Sequence, residues 1–390
     1  MAGGNHKVTA TTLTITDNVG IVGGAPLAPP TTVANGGYTN DTTLTFSGTA
    51  TAGPGTGGGV NIWMSKDGGQ TAVLLTATPV SVGAGGGPWT FTASPPQAGD
   101  GTYTYYVTDQ GQIVWPATVL TTSGLTLDTV APTAPGAPGI AENSAGGINI
   151  TEASDGSVVA VGLAGTGAVA GDKVHVNWGS QGVDYTVLAA DITAGTANVT
   201  VGSSVIGLQG NGTFNVSASV TDRAGNPSAN SAATSVTVDT IAPALTVSGA
   251  PTNNTVTLSG TVSDAHGVST VEVYEGLTLL GTATVTGGNW TYTTASLSNG
   301  SHSFIAKAID VAGNSTSGTA TVTVAANGIT ATTFTATDDV GNAPTPVAAG
   351  GATNDNLLVF SGTATFAGAA PSLKIWVDVN GAGHPTAIGT

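Results

Sequence analysis

The chain has 390 residues, enough for two to four ordinary domains; 40% are hydrophobic and only 7% are charged. Six Lys and Arg stand against 22 Asp and Glu, a formal charge of −16, and such a surface repels phosphate backbones and anionic lipid, which argues against nucleic-acid partners and against membrane docking or insertion. There is no cysteine, so disulfide stapling is excluded and stability must come from core size, repetition or bound ions.

Gly (59 residues) with abundant Thr and Val points to many short strands joined by turns. Eighteen of the acids are Asp and four are Glu. Asp favours turns and ion-binding loops, whereas helical surfaces favour Glu. The longest apolar run, 158–165, is broken by Gly and falls well short of the ~18 residues that span a bilayer. Met1-Ala2-Gly3-Gly4 lacks the charged and apolar regions of a signal peptide, so any export signal is expected outside this stretch or at the far C-terminus.

In chain order, the alternating segments begin with Val60-Asn61-Ile62-Trp63. Trp89-Thr90-Phe91-Thr92 follows, and then a long run from Gly101 through Tyr103, Tyr105 and Val107 to Asp109. The same series returns as Val174 to Trp178, Ala197 to Val201 and Gly212 to Asp222. It returns again as Val271 to Tyr274, Trp290 to Thr293 and Gly300 to Asp310. Each has a period of two, the mark of a half-buried strand. The second and third long strands close with the same loop, Asp222-Arg223-Ala224-Gly225-Asn226 and Asp310-Val311-Ala312-Gly313-Asn314. Two domain ends also match, Asp128-Thr129-Val130-Ala131-Pro132 and Asp239-Thr240-Ile241-Ala242-Pro243, each placing Pro at the first position of a new strand.

A more distant repeat links the two ends of the chain. The element from Thr39-Asn40-Asp41 to Phe46-Ser47-Gly48-Thr49-Ala50 recurs from Thr353-Asn354-Asp355 to Phe360-Ser361-Gly362-Thr363-Ala364. Ile62-Trp63 recurs as Ile375-Trp376. The expected domains are 1–130, 131–240, 241–326 and 327–390, the fourth copying the first and stopping after three or four strands. Half a sandwich cannot cover its core, so the sequence reads as a piece of a longer array.

About seven short strands per domain give an all-β fold of tandem immunoglobulin-like antiparallel β-sandwiches, expected to form an extended rod. Trp63, Trp178 and Trp376 suit the core Trp of that fold, with Tyr274 nearby in the third domain. In order and recurrence, the D-T-x-A-P junction, the D-x-A-G-N loop and the T-N-D-x-x-L-x-F-S-G-T-A element resemble the bacterial Ig-like repeats of giant, biofilm-associated (RTX/Bap-like) adhesins exported by type I secretion. That resemblance spans essentially the whole chain. It implies an extracellular, cell-surface stalk, calcium at domain junctions, and adhesion to a surface glycan or protein through distal domains, with neighbouring repeats as the immediate partners.

In an Ig-like domain the second-to-third and sixth-to-seventh strand loops share a pole with the incoming linker. That geometry gathers Asp239, Asp264, Asp310 and Asn314 at the third domain, and Asp128, Asp222 and Asn226, with Asp172, at the second. Carboxylates with an amide oxygen suit Ca²⁺, which takes 6–8 oxygen ligands. The same residues also suit turn capping, since Asp-x-x-Gly is a common turn sequence. Two departures stand out: Ala325 occupies the linker-Asp position after the third domain, and Asp109-Gln110-Gly111-Gln112 replaces D-x-A-G-N in the first. Asp17, Asp338 and Asp339 are weaker candidates.

No catalytic constellation emerges, and the chain reads as non-enzymatic. Gly165-Thr166-Gly167 with Gly171 leads into strand rather than the helix a dinucleotide loop needs. His6, His175, His266, His302 and His384 lie in separate elements without zinc-site spacing, so zinc is not expected. No G-x-S-x-G elbow precedes a helix. Tyr103, Tyr105, Tyr106 and Trp115 could form a glycan platform, which leaves a glycan- or host-surface-binding module as an alternative. An accessory sandwich of a secreted polysaccharide-active enzyme is a third reading.

Overall fold

Each segment with period-two alternation forms a strand, because burying one face of a Val- and Thr-rich ribbon needs a second sheet to cover it. The computed structural model describes residues 8–17, 31–53, 58–93, 99–325, 329–338, 345–348, 358–366, 375–377 and 386–389. They divide between two compact units, residues 1–144 with 152–238, and residues 145–151 with 239–390.

The first unit holds two sandwiches. In the first, Leu44–Ala52 is the axis of one sheet: Val8–Thr11 and Thr14–Asp17 share one of its edges, and Gly87–Ala93 takes the other. The facing sheet runs Gly37–Thr39, Val119–Leu127, Gly101–Asp109, Gly59–Ser65 and Val73–Leu74. Its pairing of Gly37–Thr39 with Val119–Leu127 is parallel; the rest are antiparallel. Phe46, Trp89, Tyr103, Tyr105 and Leu125 meet between the sheets in one core. Burial of each such side chain contributes about 1.5–3 kcal/mol.

The second sandwich pairs a three-stranded sheet (Gly139–Ile140, Ser157–Gly162, Thr196–Val201) with a four-stranded one (Gln181–Thr186, Lys173–Trp178, Gly212–Thr221, Thr234–Val238). A 3-10 turn, Ala141–Ala145, and a helix, Ile150–Asp155, precede Ser157–Gly162, and two more short helices, Ala189–Ala194 and Ser203–Gln209, interrupt the later strands. Ala189–Ala194 forms because Asp191 Oδ2 accepts the amide of Leu188 at 2.8 Å, and it ends at Gly195 with φ of 70°. Ser203–Gln209 buries Ile206.

In the second unit the third sandwich repeats the scheme. Thr255–Ser263 pairs with Ala244–Leu245, Ser248–Thr252 and Asn289–Thr293, opposite a sheet of Thr278–Thr282, Val268–Glu275, Gly300–Asp310 and Ser315–Val324. Trp290, Phe304 and Leu258 fill its core. Beyond it, Ile329–Asp338 pairs with Val359–Phe366, and Ile375–Val377 with Thr386–Gly389. The likeness of the chain's ends holds at the level of register. Ser47 pairs with Thr14 and Phe46 with Ile15, as Ser361 pairs with Thr335 and Phe360 with Ala336.

Strand parity decides which tryptophans reach the core. Trp178 shares the inward face with Val174 and Val176. Trp63 lies one residue out of step with Ile62 and Met64, so it points out of the sandwich. There it is covered by the Trp115 ring at 5.5 Å, and its Nε1 donates to Thr108 Oγ1 at 3.0 Å. The first and third cores take Trp89 and Trp290 instead, from the strand that pairs with the axis. Tyr274 is half-buried and donates to Glu272 at 2.6 Å. The side chain of Trp376 lies outside the described residues.

Candidate functional site

The D-x-A-G-N loop is a clasp built from its own side chains. Asp310 Oδ1 accepts the amides of Gly313 at 2.6 Å and Asn314 at 2.8 Å, which closes the turn. Gly313 sits at φ of 99°, a conformation that an L side chain rarely adopts. Ala312, 4% exposed, is small enough to tuck beneath. Asn314 Nδ2 then donates both to Asp310 Oδ2 and to the backbone carbonyl of Asp239, each at 2.8 Å. Its Oδ1 accepts the amide of Ile150 at 2.9 Å. In the first unit the arrangement recurs: Asn226 Nδ2 donates to Asp222 Oδ2 and to the carbonyl of Asp128, again at 2.8 Å, and its Oδ1 accepts from Asn40. The loop thus holds the backbone of the linker residue that enters each sandwich.

The two linker carboxylates begin alike. Asp128 Oδ1 accepts the amide of Val130, and Asp239 Oδ1 that of Ile241, both at 3.1 Å. Their other oxygens differ in surroundings. Asp239 is 1% exposed, and its Oδ2 has no hydrogen-bond partner among the described residues. The nearest opposite group is His266 Nδ1 at 3.4 Å. Asp264 stands beside them, its Oδ1 accepting the His266 amide at 2.7 Å. One ligand atom from each of Asp239, Asp264 and His266 falls within 4.8 Å of the others.

Of the third-domain residues expected to ligate, the fold therefore brings Asp239 and Asp264 together with one oxygen facing inward. Asp310 and Asn314 spend their polar atoms on each other and on backbone. His266, which the sequence reading set aside for want of zinc-site spacing, joins the group. The signal was present in Asp264-Ala265-His266, where two ligand types two residues apart flank a turn. The inward set is mixed nitrogen and oxygen, which differs from the all-oxygen shell of calcium.

At the second sandwich a protein cation occupies the corresponding place. Arg223, where the third sandwich has Val311, brings Nε to 3.9 Å from Asp172 Oδ1 and stacks its guanidinium 4.2 Å above the Tyr38 ring. Asp172 is 2% exposed; burial pushes its carboxyl above the usual range, and the Val169 amide, with Arg223, pulls part of the way back. Asp128, Asp222 and Tyr38 line the same cavity.

In the first sandwich Asp109 takes over the clasp without an Asn, accepting the amide of Val8 at 2.7 Å and of Gly111 at 3.2 Å. Asp17 accepts the Thr39 hydroxyl at 2.7 Å. The side chain of Asp338, and Asp339 altogether, lie outside the described residues. Among the aromatics, Tyr103 and Tyr105 are core residues, which leaves only Tyr106 and Trp115 half-buried on the outer face. Among the described residues no helix is long and apolar enough to cross a membrane.

Residues 226–306 match the family described as bacterial Ig domain. No curated protein matches the chain. A solved structure concerning host cell surface retention of a 1.5-MDa bacterial ice-binding adhesin is 22% identical, covering 82% of this chain and 98% of its own, with a TM-score of 0.31. A Ca²⁺-stabilized adhesin with which an Antarctic bacterium binds ice is 22% identical over 81% of this chain and 74% of its own, at 0.35. The fibronectin(III)-like modules of Clostridium thermocellum CbhA are 17% identical over 50% of this chain and 91% of theirs, at 0.29. At these identities and scores the likenesses carry no argument about function.

Proposed function

We propose that this chain is a non-catalytic spacer of an extracellular bacterial surface protein, in which Ig-like sandwiches in series hold an adhesive region away from the cell. The observation that carries this reading is the recurrence of one clasp: Asn226 on the Asp128 carbonyl and Asn314 on the Asp239 carbonyl, at the same 2.8 Å. A device that grips the incoming chain, repeated from one sandwich to the next, serves the transmission of force along the chain rather than chemistry at a site. Export by type I secretion and a place in biofilm adhesion follow from the sequence resemblance and belong to the same proposal, as do the domain limits 1–130, 131–240, 241–326 and 327–390.

A glycan array probed with the chain is expected to give no reproducible hits, while stretching single molecules end to end gives separate unfolding events for successive sandwiches. Saccharide-specific hits that disappear in Trp115→Ala would replace the spacer reading with the binding-module one.

Cation stiffening is the finer part of the proposal. Calcium is the ion the sequence resemblance implies, and at the third sandwich a divalent ion bridging Asp239 and Asp264 would fix the linker to the pole loop. At the second sandwich Arg223 places a positive charge 3.9 Å from Asp172, so the charge there is already partly opposed. Arg223→Val is expected to destabilise that sandwich by about 1–2 kcal/mol, because it leaves the Asp172 carboxylate buried without its opposing charge and removes the contact with Tyr38. The effect stays small because Arg223 is 40% exposed and solvent screens the pair. Urea unfolding followed through Trp178 fluorescence measures it; an unchanged midpoint would mean that the Val169 amide, not Arg223, balances Asp172.

A further inference from the structure

We propose that Asp239, Asp264 and His266 form a site for a divalent transition-metal ion of the zinc type, with a preference over calcium set by the imidazole. The inference rests on the cation bridge proposed above and names the ion chemistry that the bridge selects.

Three observations meet at this point. The first is Asp239 Oδ2, an ionisable oxygen on a side chain 1% exposed, with no hydrogen-bond donor reaching it among the described residues. A buried carboxylate oxygen without a donor is costly, and natural sites resolve that cost with a positive charge. The second is the position of His266 Nδ1, 3.4 Å from that oxygen and outside hydrogen-bond geometry. Two ligands of a tetrahedral ion with bonds of about 2.0–2.1 Å stand about 3.3–3.4 Å apart, so the two atoms are already spaced as neighbours around one ion. The third is Asp264, whose carboxylate completes a set of three with ligand atoms within 4.8 Å of one another.

The donor types decide the ion. Calcium and magnesium take oxygen shells, whereas imidazole suits zinc, copper, nickel and cobalt. Two carboxylates and one imidazole give three protein ligands and leave a coordination position for water. The loop is shaped to present them. Asp264 Oδ1 accepts the amide of His266 at 2.7 Å, so one turn fixes the spacing of both ligands. Asp239 is held from the other side, with its amide on the carbonyl of Ile148 at 2.9 Å and its Oδ1 on the amide of Ile241. The neighbouring Val311 carries no charge to compete, whereas Arg223 fills that position in the second sandwich.

The test uses the full chain, stripped with EDTA, and three separate probes: Zn²⁺, Co²⁺ and Ca²⁺. Calorimetry is expected to show Zn²⁺ binding more tightly than Ca²⁺, and Co²⁺ is expected to develop the intense visible absorption of a tetrahedral site. His266→Gln should weaken Zn²⁺ binding by at least roughly tenfold and abolish the Co²⁺ band. Its effect on Ca²⁺ should be small. Asp239→Asn, which keeps the shape and the Oδ1 cap, should weaken all three ions and serves as a second variant should His266→Gln perturb the loop. A Zn²⁺ isotherm unchanged in His266→Gln would overturn the proposal by placing the ion elsewhere, for example at His175 with Asp184 or His302 with Glu275. A Ca²⁺ response lost in Asp239→Asn, with no Zn²⁺ response in the parent chain, would overturn it and leave the cation bridge standing. No response to any of the three ions would remove the bridge as well.

Discussion

Replacing Asn314 with Ala is expected to destabilise the third sandwich by about 2–4 kcal/mol, because it leaves several buried polar groups without partners at once. Asn314 is 5% exposed, and its amide satisfies the Asp239 carbonyl, the Asp310 carboxylate and the Ile150 amide. Ala satisfies none of them, and two of the three contacts are buried from water. Urea denaturation monitored by Trp290 should show a lower midpoint with the same slope, the sign of lost stability without a change in the surface exposed. Asn226→Ala should cost less, about 1–3 kcal/mol, because one of its three partners is the Asn40 side chain, which can turn to solvent. The charged variant separates clasp from metal ligand. If Asn314 were an ion ligand, Asn314→Asp would tighten ion binding and raise stability in its presence. As a clasp, the new carboxylate faces Asp310 Oδ2 across a 2.8 Å contact and abandons the Asp239 carbonyl, so it should be worse than Ala with or without ions.

That contrast also marks how far the site was legible in the sequence. The motif's recurrence was plain: Asn226 and Asn314, each bonded to its own Asp222 or Asp310, reach the backbone of the linker residues Asp128 and Asp239. Their role was not readable from type and spacing, because an Asp and an Asn four residues apart can either ligate an ion or bond one another. Turn geometry, with Gly225 and Gly313 at φ of 96° and 99°, turns them inward. The difference between the second and third sandwiches at this pole rests on single residues that no repeat pattern flags. Arg223 against Val311 and Asp172 against the Asp264–His266 pair decide which sandwich carries its own cation. The Asp264-Ala265-His266 spacing marks only half of the group, because the third member, Asp239, belongs to the incoming linker, and only the sandwich topology brings it to His266.

The fold itself was more legible than its details. Period-two alternation located the long strands, since the core accepts only every second side chain. It failed at Trp63, where a stretch of seven buried residues, Gly59–Ser65, hides which parity faces the core. It also gave no sign of the helices in the second sandwich. Ala189–Ala194 is too short to show a helical period, and its cap is the Leu188 amide donating to the Asp191 carboxylate, which sequence alone leaves ambiguous with a turn.

Gly260→Ala is expected to cost the third sandwich about 2–4 kcal/mol, although it adds one methyl group in the middle of a strand. A Cβ built on Gly260 collides with the backbone carbonyl oxygen of Thr246 and lies 2.8 Å from Trp290 Nε1. Gly48 is in the same position against the Thr12 carbonyl, with the Trp89 ring at 2.8 Å, and Gly362 meets the Thr333 carbonyl. In the first and third sandwiches the S-G-T element thus keeps its Gly because the axis strand leaves no room between the neighbouring backbone and the core Trp, and at Gly362 the backbone of Thr333 alone leaves none. Overpacking of this kind usually costs about 1–3 kcal/mol through forced shifts. Here the shift also strains the bond from Trp290 Nε1 to the Thr246 carbonyl, 3.0 Å long, which raises the expected cost. Gly276→Ala provides the control: its φ of 62° is unfavourable for Ala, but nothing lies within 4 Å, so only the conformational cost of about 1 kcal/mol applies. Thermal unfolding of the two variants should rank Gly260→Ala well below Gly276→Ala. Equal losses would mean that the first strand peels away to admit the methyl group, and that this edge of the sandwich is held less firmly than its Trp contact implies.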